Sequence, residues 1–214
     1  GAHRAWAQGT TGRGVTVGIL DGGVMYQHEA LVQQYRGNLG NGVFDHDYNW
    51  LGAHLEPYPG DNAHATHVAG TILGDNHAAD PAARRRIGMA PDADWIACDI
   101  FALEGDPTGY WMLRCGEFML APSRRDGSDA NPDLRPQVVN NSWSERDCDG
   151  TASPFYADMV EAWVAAGIFP AFAAGNTFSC GFAEPPGLST LSSPASLASA
   201  FAIGSSGNHD GAYA

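Results

Sequence analysis

Polar side chains with chemical potential recur in this chain at the ends of short apolar runs. The densest such stretch is Asn62-Ala63-His64-Ala65-Thr66-His67-Val68-Ala69-Gly70, followed by Thr71, Ile72 and Leu73. Polar loop residues and small side chains lead there into an apolar segment, which predicts His64 at the point where a loop becomes a buried helix, with its ring at the mouth of a cleft. That position suits a general base, because histidine has the unperturbed pKa nearest neutrality. Two other uses fit the same residues: a satisfied polar side chain at a helix start, or half of a metal site, since His64 and His67 are three residues apart.

A carboxylate stands in a comparable place. Gly14-Val15-Thr16-Val17-Gly18-Ile19-Leu20 is a compact β-branched run that stops at Asp21-Gly22-Gly23. This predicts a buried strand that delivers Asp21 to its C-terminal end, with glycines after it that let the chain turn sharply. Asp21 capping that turn fits the segment equally well. Further strands are predicted at Trp95 to Phe101, Gln137 to Trp143, Ile168 to Ala174 and Ala200 to Gly204. The third ends in polar residues around Ser142, and the fourth delivers Gly175 and Asn176.

The elements between them read as helices. Tyr110 to Leu120 has Leu113, Glu117 and Leu120 at helical spacing. Ser153-Pro154 opens another, with serine at the N-cap, proline at the first helical position, Gly167 past the end, and Phe155, Met159, Val160, Trp163 and Val164 as its core stripe. Strands that are near-continuous apolar runs, alternating with helices, predict an α/β fold with a mostly parallel sheet flanked by helices on both faces. Functional groups in such sheets gather at the carboxyl ends of strands. Asp21, the residues around Ser142 and Asn176 should then share one edge, with His64 beside them.

Residues 38–60 show no sustained period and read as a long surface connection. Asp45 and Asp47 in it offer oxygens to a calcium ion, although two carboxylates fall short of a coordination set and a solvated loop accounts for them. Residues 75–91 read as irregular, with Arg84-Arg85-Arg86 as a solvated basic cluster, and residues 126–136 as a polar excursion.

The 214 residues, 44% hydrophobic, suffice for one substantial core and one domain. The net charge is −13, and arginine supplies all 11 basic side chains. That balance argues against a nucleic-acid backbone as partner, which needs basic patches. The longest apolar run, from Ala162 to Gly175, is interrupted by Gly167 and Pro170 and is too short to span a bilayer. Gly1-Ala2-His3-Arg4 lacks a signal-peptide layout. Four widely spaced cysteines are compatible with two disulfides, for which Cys148 with Cys180 and Cys98 with Cys115 is the favoured pairing; bridges of this kind imply export.

Four motifs in order carry a resemblance: residues 14–24 around Asp21, His64-Ala65-Thr66-His67-Val68-Ala69-Gly70, Val139-Asn140-Asn141-Ser142-Trp143, and Ala173-Ala174-Gly175-Asn176. Together they closely resemble the subtilisin-like serine proteases (subtilases, peptidase family S8). Trp95-Ile96-Ala97, Leu120-Ala121-Pro122 and Asn140-Asn141-Ser142-Trp143 are most similar to the bacillopeptidase F branch. The resemblance implies a secreted endopeptidase of three-layer α/β fold, in which Asp21 orients the imidazole of His64, His64 is the general base, and the Asn176 amide donates to the oxyanion. It also implies that Ser142, Trp143 and Ser144 pair with an extended polypeptide substrate, and that Ala173, Ala174 and Gly175 wall the pocket for the residue before the scissile bond. No cofactor is needed for such chemistry, and structural calcium is plausible.

Four departures accompany the resemblance. Gly22 follows Asp21 where serine or threonine is usual, Ala65 replaces a glycine, and Ser144 stands where glycine is common. The fourth removes a group: the nucleophilic serine of the family sits in a Gly-Thr-Ser motif at the start of a long apolar helix, and no such motif occurs in this sequence. Ser205 and Ser206 lack that context. The expectation is therefore an N-terminal portion of one catalytic domain, completed by a C-terminal fragment that carries the serine and covers the sheet. A peptide-binding pseudoprotease is the alternative reading. A metal hydrolase built on His64 and His67 lacks a third ligand at sensible spacing.

Overall fold

The computed structural model describes residues 1–58, 63–101, 109–145, 149–176, 181 and 190–205. Six strands form one parallel sheet: β1 Thr16–Asp21, β4 Trp50–Leu51, β5 Asp94–Asp99, β6 Val138–Asn141, β7 Phe169–Ala173 and β8 Phe201–Ile203. Their spatial order is β4-β5-β1-β6-β7-β8. A separate antiparallel pair, β2 Asn38–Gly40 and β3 Val43–Phe44, completes the strands described. Four α-helices accompany them: α1 Ala2–Ala7, α2 His64–Leu73, α3 Tyr110–Leu120 and α4 Ala157–Ala165.

The strand period of two sorts side chains onto two faces. Val17 and Ile19 of β1 pack with Trp95 and Ala97 of β5 beneath Ala65, Ala69 and Leu73 of α2. Leu20, Ile96, Cys98, Val139 and Phe172 point the other way, against α3 and α4, around the fully buried Trp163. This is the expected helix–sheet–helix sandwich. The Cys98–Cys115 disulfide, with a Cα–Cα distance of 5.6 Å, ties β5 to α3 as expected. The other expected pair, Cys148 with Cys180, falls outside the described residues.

Several expectations are corrected. Residues 38–58 are more than a surface connection: they form β2 and β3, and they supply β4 to the sheet edge, with Trp50 wholly buried. A two-residue strand shows no periodicity, and tertiary pairing with Ala97 and Cys98 creates it. Ser153 makes no side-chain capping bond, and the helix expected after it opens as a 3-10 turn, Pro154–Tyr156, before α4 begins at Ala157. The basic cluster is not simply solvated. Arg84 brackets both oxygens of Asp75, which has no exposed surface, through Nε at 3.0 Å and Nη2 at 2.7 Å, and Arg86 Nε adds a bond of 3.0 Å. A carboxylate taken out of water needs such partners. Arg86 also lies over the ring of Trp6, 5.1 Å from its centroid, so the same clamp fastens α1 to the body of the protein.

Candidate active site

β1 ends on Asp21 and α2 begins on His64, and tertiary packing of α2 over β1 brings these two ends together. His64 Nδ1 lies 2.9 Å from Asp21 Oδ1. An ionised carboxylate only accepts, so Nδ1 carries the hydrogen and Nε2 is the basic nitrogen of that tautomer. The Asp21 side chain is 3% exposed and that of His64 is 48% exposed. The carboxylate is thus shielded while the ring reaches the surface, the division of exposure that a base and its orienting group require.

Asp21 Oδ1 also accepts from the Gly22 N–H at 2.8 Å, while Asp21 Oδ2 is buried with no hydrogen-bond partner among the described residues. Burial pushes the Asp21 pKa up from its ordinary 3.8, opposed by the His64 hydrogen bond, the Gly22 N–H and the His64 charge. Neither Gly22 nor Gly23 adopts a positive φ, so the sharp-turn role expected of them is not what they perform. At Gly23 the missing Cβ makes room for the Tyr58 carbonyl. The first turn of α2 is anchored to the segment after β1 by Thr66, whose Oγ1 accepts from the Met25 N–H at 2.9 Å.

The other expected site residues lie along the same sheet edge. β1 neighbours β6, with Leu20 opposite Asn141, and β6 neighbours β7, with Asn141 opposite Phe172. Ser142, Trp143 and Ser144 therefore leave β6 next to Ala173, Ala174 and Gly175 leaving β7. Asn141 locks the two strand ends together through Nδ2, which donates to the Ala171 carbonyl at 3.1 Å. Asn140 Nδ2 donates to Ser142 Oγ at 3.0 Å. Trp143 packs against Tyr156 and Phe172 with ring centroids 5.7 and 5.8 Å away, which pins the segment that follows β6. Gly175 has φ +105°, and a Cβ there would stand 2.7 Å from Ser192 Oγ. Glycine is needed at that bend, and it is what presents Asn176 at the surface. Asn176 is two strands away from Asp21, on the order of 10 Å across the sheet.

Among the described residues, no three His, Cys, Asp or Glu side chains converge on a point that a cation could occupy. Of the loop carboxylates considered for calcium, Asp47 accepts from the Arg125 N–H and pairs with Arg124 and Arg125, while Asp45 caps the Asp47 N–H. His64 gives Nδ1 to Asp21 and not to a site shared with His67. One group escaped the sequence reading: Asp99, the buried residue that ends β5 beside Asp21. The sequence signal was weak, since Asp99 stands inside the run from Trp95 to Phe101, with Ile100 and Phe101 after it, and is a lone carboxylate in an otherwise apolar segment.

A histidine held by a strand-end carboxylate, at the carboxyl edge of a parallel sheet with an Asn-bearing strand end nearby, defines a class that the sequence profile states directly. The chain belongs to the Subtilase family (peptidase S8), whose profile matches residues 12–213. It is 40% identical to Bacillopeptidase F of Bacillus subtilis (strain 168) over 208 residues, which are 95% of this chain and 14% of that protein. It is 30% identical to the Minor extracellular protease Vpr of the same organism over 146 residues, 67% of this chain and 17% of Vpr. The chain thus spans less than a fifth of the length of either relative. A solved structure, the prenylagaramide maturation protease PagA, shares the fold with a TM-score of 0.61 at 19% identity, over 94% of this chain and 57% of its own.

Proposed function

We propose that these residues form the base-bearing part of a secreted serine endopeptidase, and that the hydrogen bond from His64 to Asp21 is the observation that carries this reading. The hydroxyl of a serine supplied from outside the 214 residues attacks the scissile carbonyl carbon, and His64 Nε2 takes its proton. Asp21 stabilises the imidazolium that results. Nε2 then protonates the departing amine nitrogen as the C–N bond breaks, leaving an acyl-enzyme, and the same nitrogen activates the water that hydrolyses it. The Asn176 amide donates to the oxyanion. Residues 142–144 pair with the extended polypeptide substrate, and Ala173, Ala174 and Gly175 wall the pocket for the residue before the cleaved bond.

Two further features support a serine-bearing partner segment. On the α2 face of the sheet, Phe169, Phe201 and Ile203 are 41%, 55% and 52% exposed, an open apolar half-face beside α2 that a further helix would cover. Ser205 follows β8, three strands from β1, too far across the sheet to serve His64. Secretion is supported by the buried disulfide and by the extracellular relative.

Fluorophosphonate labelling of the full-length protease, followed by peptide mapping, tests the reading. One labelled serine outside these residues, with labelling abolished by His64→Ala, is the expected result. A full-length protein that takes no label and cleaves no polypeptide would instead be a peptide-binding module.

A further inference from the structure

Asp21 is not the only carboxylate at this edge. In the pairing of β1 with β5 its register partner is Asp99. Parallel neighbours in register point to the same face, and the core assigns that face: Val17 and Ile19 of β1 and Trp95 and Ala97 of β5 all lie beneath α2. Asp21 and Asp99 continue those two rows, so their carboxyl groups stand side by side at the strand ends. Both residues are buried, with 2% and 7% of their surface exposed.

The surroundings leave Asp99 little choice of company. On its far side Gly52, next after β4, has no side chain, and a Cβ there would come within 3.1 Å of Asp99 Cβ and 2.6 Å of the Trp50 ring. Asp99 Oδ1 accepts from the Phe101 N–H at 2.8 Å. The titratable groups within its electrostatic reach among the described residues are His54, from the loop after β4, and Asp21; His64 stands beyond Asp21 on the same face. Burial raises the Asp99 pKa from its ordinary 3.8, opposed by the Phe101 N–H and His54 and reinforced by the charge on Asp21. Among the described residues no side chain bonds Asp21 Oδ2, which is buried. A buried carboxylate oxygen with no donor, next to a second buried carboxylate, is costly unless the two are coupled.

We propose that Asp99 is a positioning residue of the active site, acting through Asp21 on the proton affinity of His64. The inference deepens the protease reading and rests on it for its catalytic consequence. The pair has two states. On the acid side Asp99, whose pKa burial and the Asp21 charge raise, is the carboxyl that takes up a proton and becomes neutral. Near neutrality both are ionised, and the His64 imidazolium lies above two negative charges in place of one. The second negative charge stabilises the imidazolium that forms when His64 takes the serine proton.

The decisive variants are Asp99→Asn and Asp99→Ser, made in the full-length protease. Both remove the charge, and asparagine keeps the size and shape of the side chain. Two readouts are taken: the acid limb of kcat/KM against pH, and the titration of the His64 ring protons by NMR. Loss of the neighbouring charge is expected to move both to lower pH by about half a unit to one unit, the size of a partly screened charge at this range. The variants would then outperform the parent on the acid side. A merely structural Asp99 would change the melting temperature and leave both titrations where they were, and that result overturns the proposal. Should one variant fail to fold, the other still removes the charge and decides the matter. If the parent proved inactive while its His64 titration shifted in the variants, the coupling would stand and the protease reading would fall.

Discussion

His64 Nδ1 and Asp21 Oδ1 meet at 2.9 Å although 43 residues separate them in the chain. The contact exists because β1 ends and α2 begins at the same point of the sheet edge, so the register of the fold, and not a local motif, sets the tautomer of the base. Asp21→Asn tests that dependence. The amide can donate to Nδ1, which favours the wrong tautomer and takes the lone pair from Nε2. In the full-length protease, kcat should fall by roughly 10³ to 10⁴ with KM little changed. A loss of less than tenfold would remove Asp21 from the role given to it.

Gly175→Ala places a Cβ on a backbone with φ +105° and against Ser192 Oγ. The strain of about 1–3 kcal/mol is best relieved by shifting the bend, which displaces Asn176. We expect a lower urea midpoint and a fall in kcat larger than the change in KM. Unaltered kcat would mean that the presentation of Asn176 does not depend on this bend.

Asp75 gives the fold an acid-sensitive anchor. Arg84, Arg86 and the His77 N–H hold its carboxyl well below the ordinary 3.8, against the opposing effect of burial. A carboxyl whose folded pKa is depressed contributes stability that is full above its unfolded value and is lost as pH falls through the folded one. Asp21 and Asp99 act in the opposite sense, since their folded values are raised. Asp75→Asn should therefore cost about 2 kcal/mol at neutral pH, because the arginines are partly exposed and water replaces some of what is lost. The gap from the parent should close below pH 4. Urea unfolding from pH 7 downward measures both, and a gap independent of pH would contradict the ion-pair account.

The bridge from Cys98 to Cys115 closes a loop of 17 residues between two sites with no exposed surface. Replacing both cysteines by alanine should lower stability by roughly 3 kcal/mol, the loop-closure value for that length. The loss should be read as a lower urea midpoint, with the Asp21–His64 geometry retained. An unchanged midpoint after complete reduction, verified by mass, would show that packing of α3 alone suffices.

Much of this architecture was legible in the sequence where a period was long enough to speak. Tyr110–Leu120 was bounded at both ends, and β1, β5, β6 and β7 were found within a few residues, because each is an apolar run closed by polar or glycine residues. What the sequence concealed were relations between distant segments. β4 is two residues long and exists only because Ala97 and Cys98 pair with it. Arg84 and Arg86 looked solvated because their partner, Asp75, is buried by tertiary packing that no local pattern reports. Asp99 lies inside the apolar run Trp95 to Phe101, and both the end of β5 at Asp99 and its proximity to Asp21 follow from a register that only the folded sheet sets.

The position of β1 in the sheet also bears on the order of events during synthesis. It is the first in chain order of the sheet strands described, yet it lies in the interior: Thr16 pairs with Asp94 on one side and Val17 with Val138 on the other. While the ribosome adds the residues in between, at roughly 5–20 per second, β1 must wait with both edges unpaired. For about ten seconds the segment that will carry Asp21 is an apolar strand without neighbours, and every early pairing open to it is a wrong one. Native pairing of β1 therefore waits for β5 and β6, which stand 73 and 117 residues or more further along the chain.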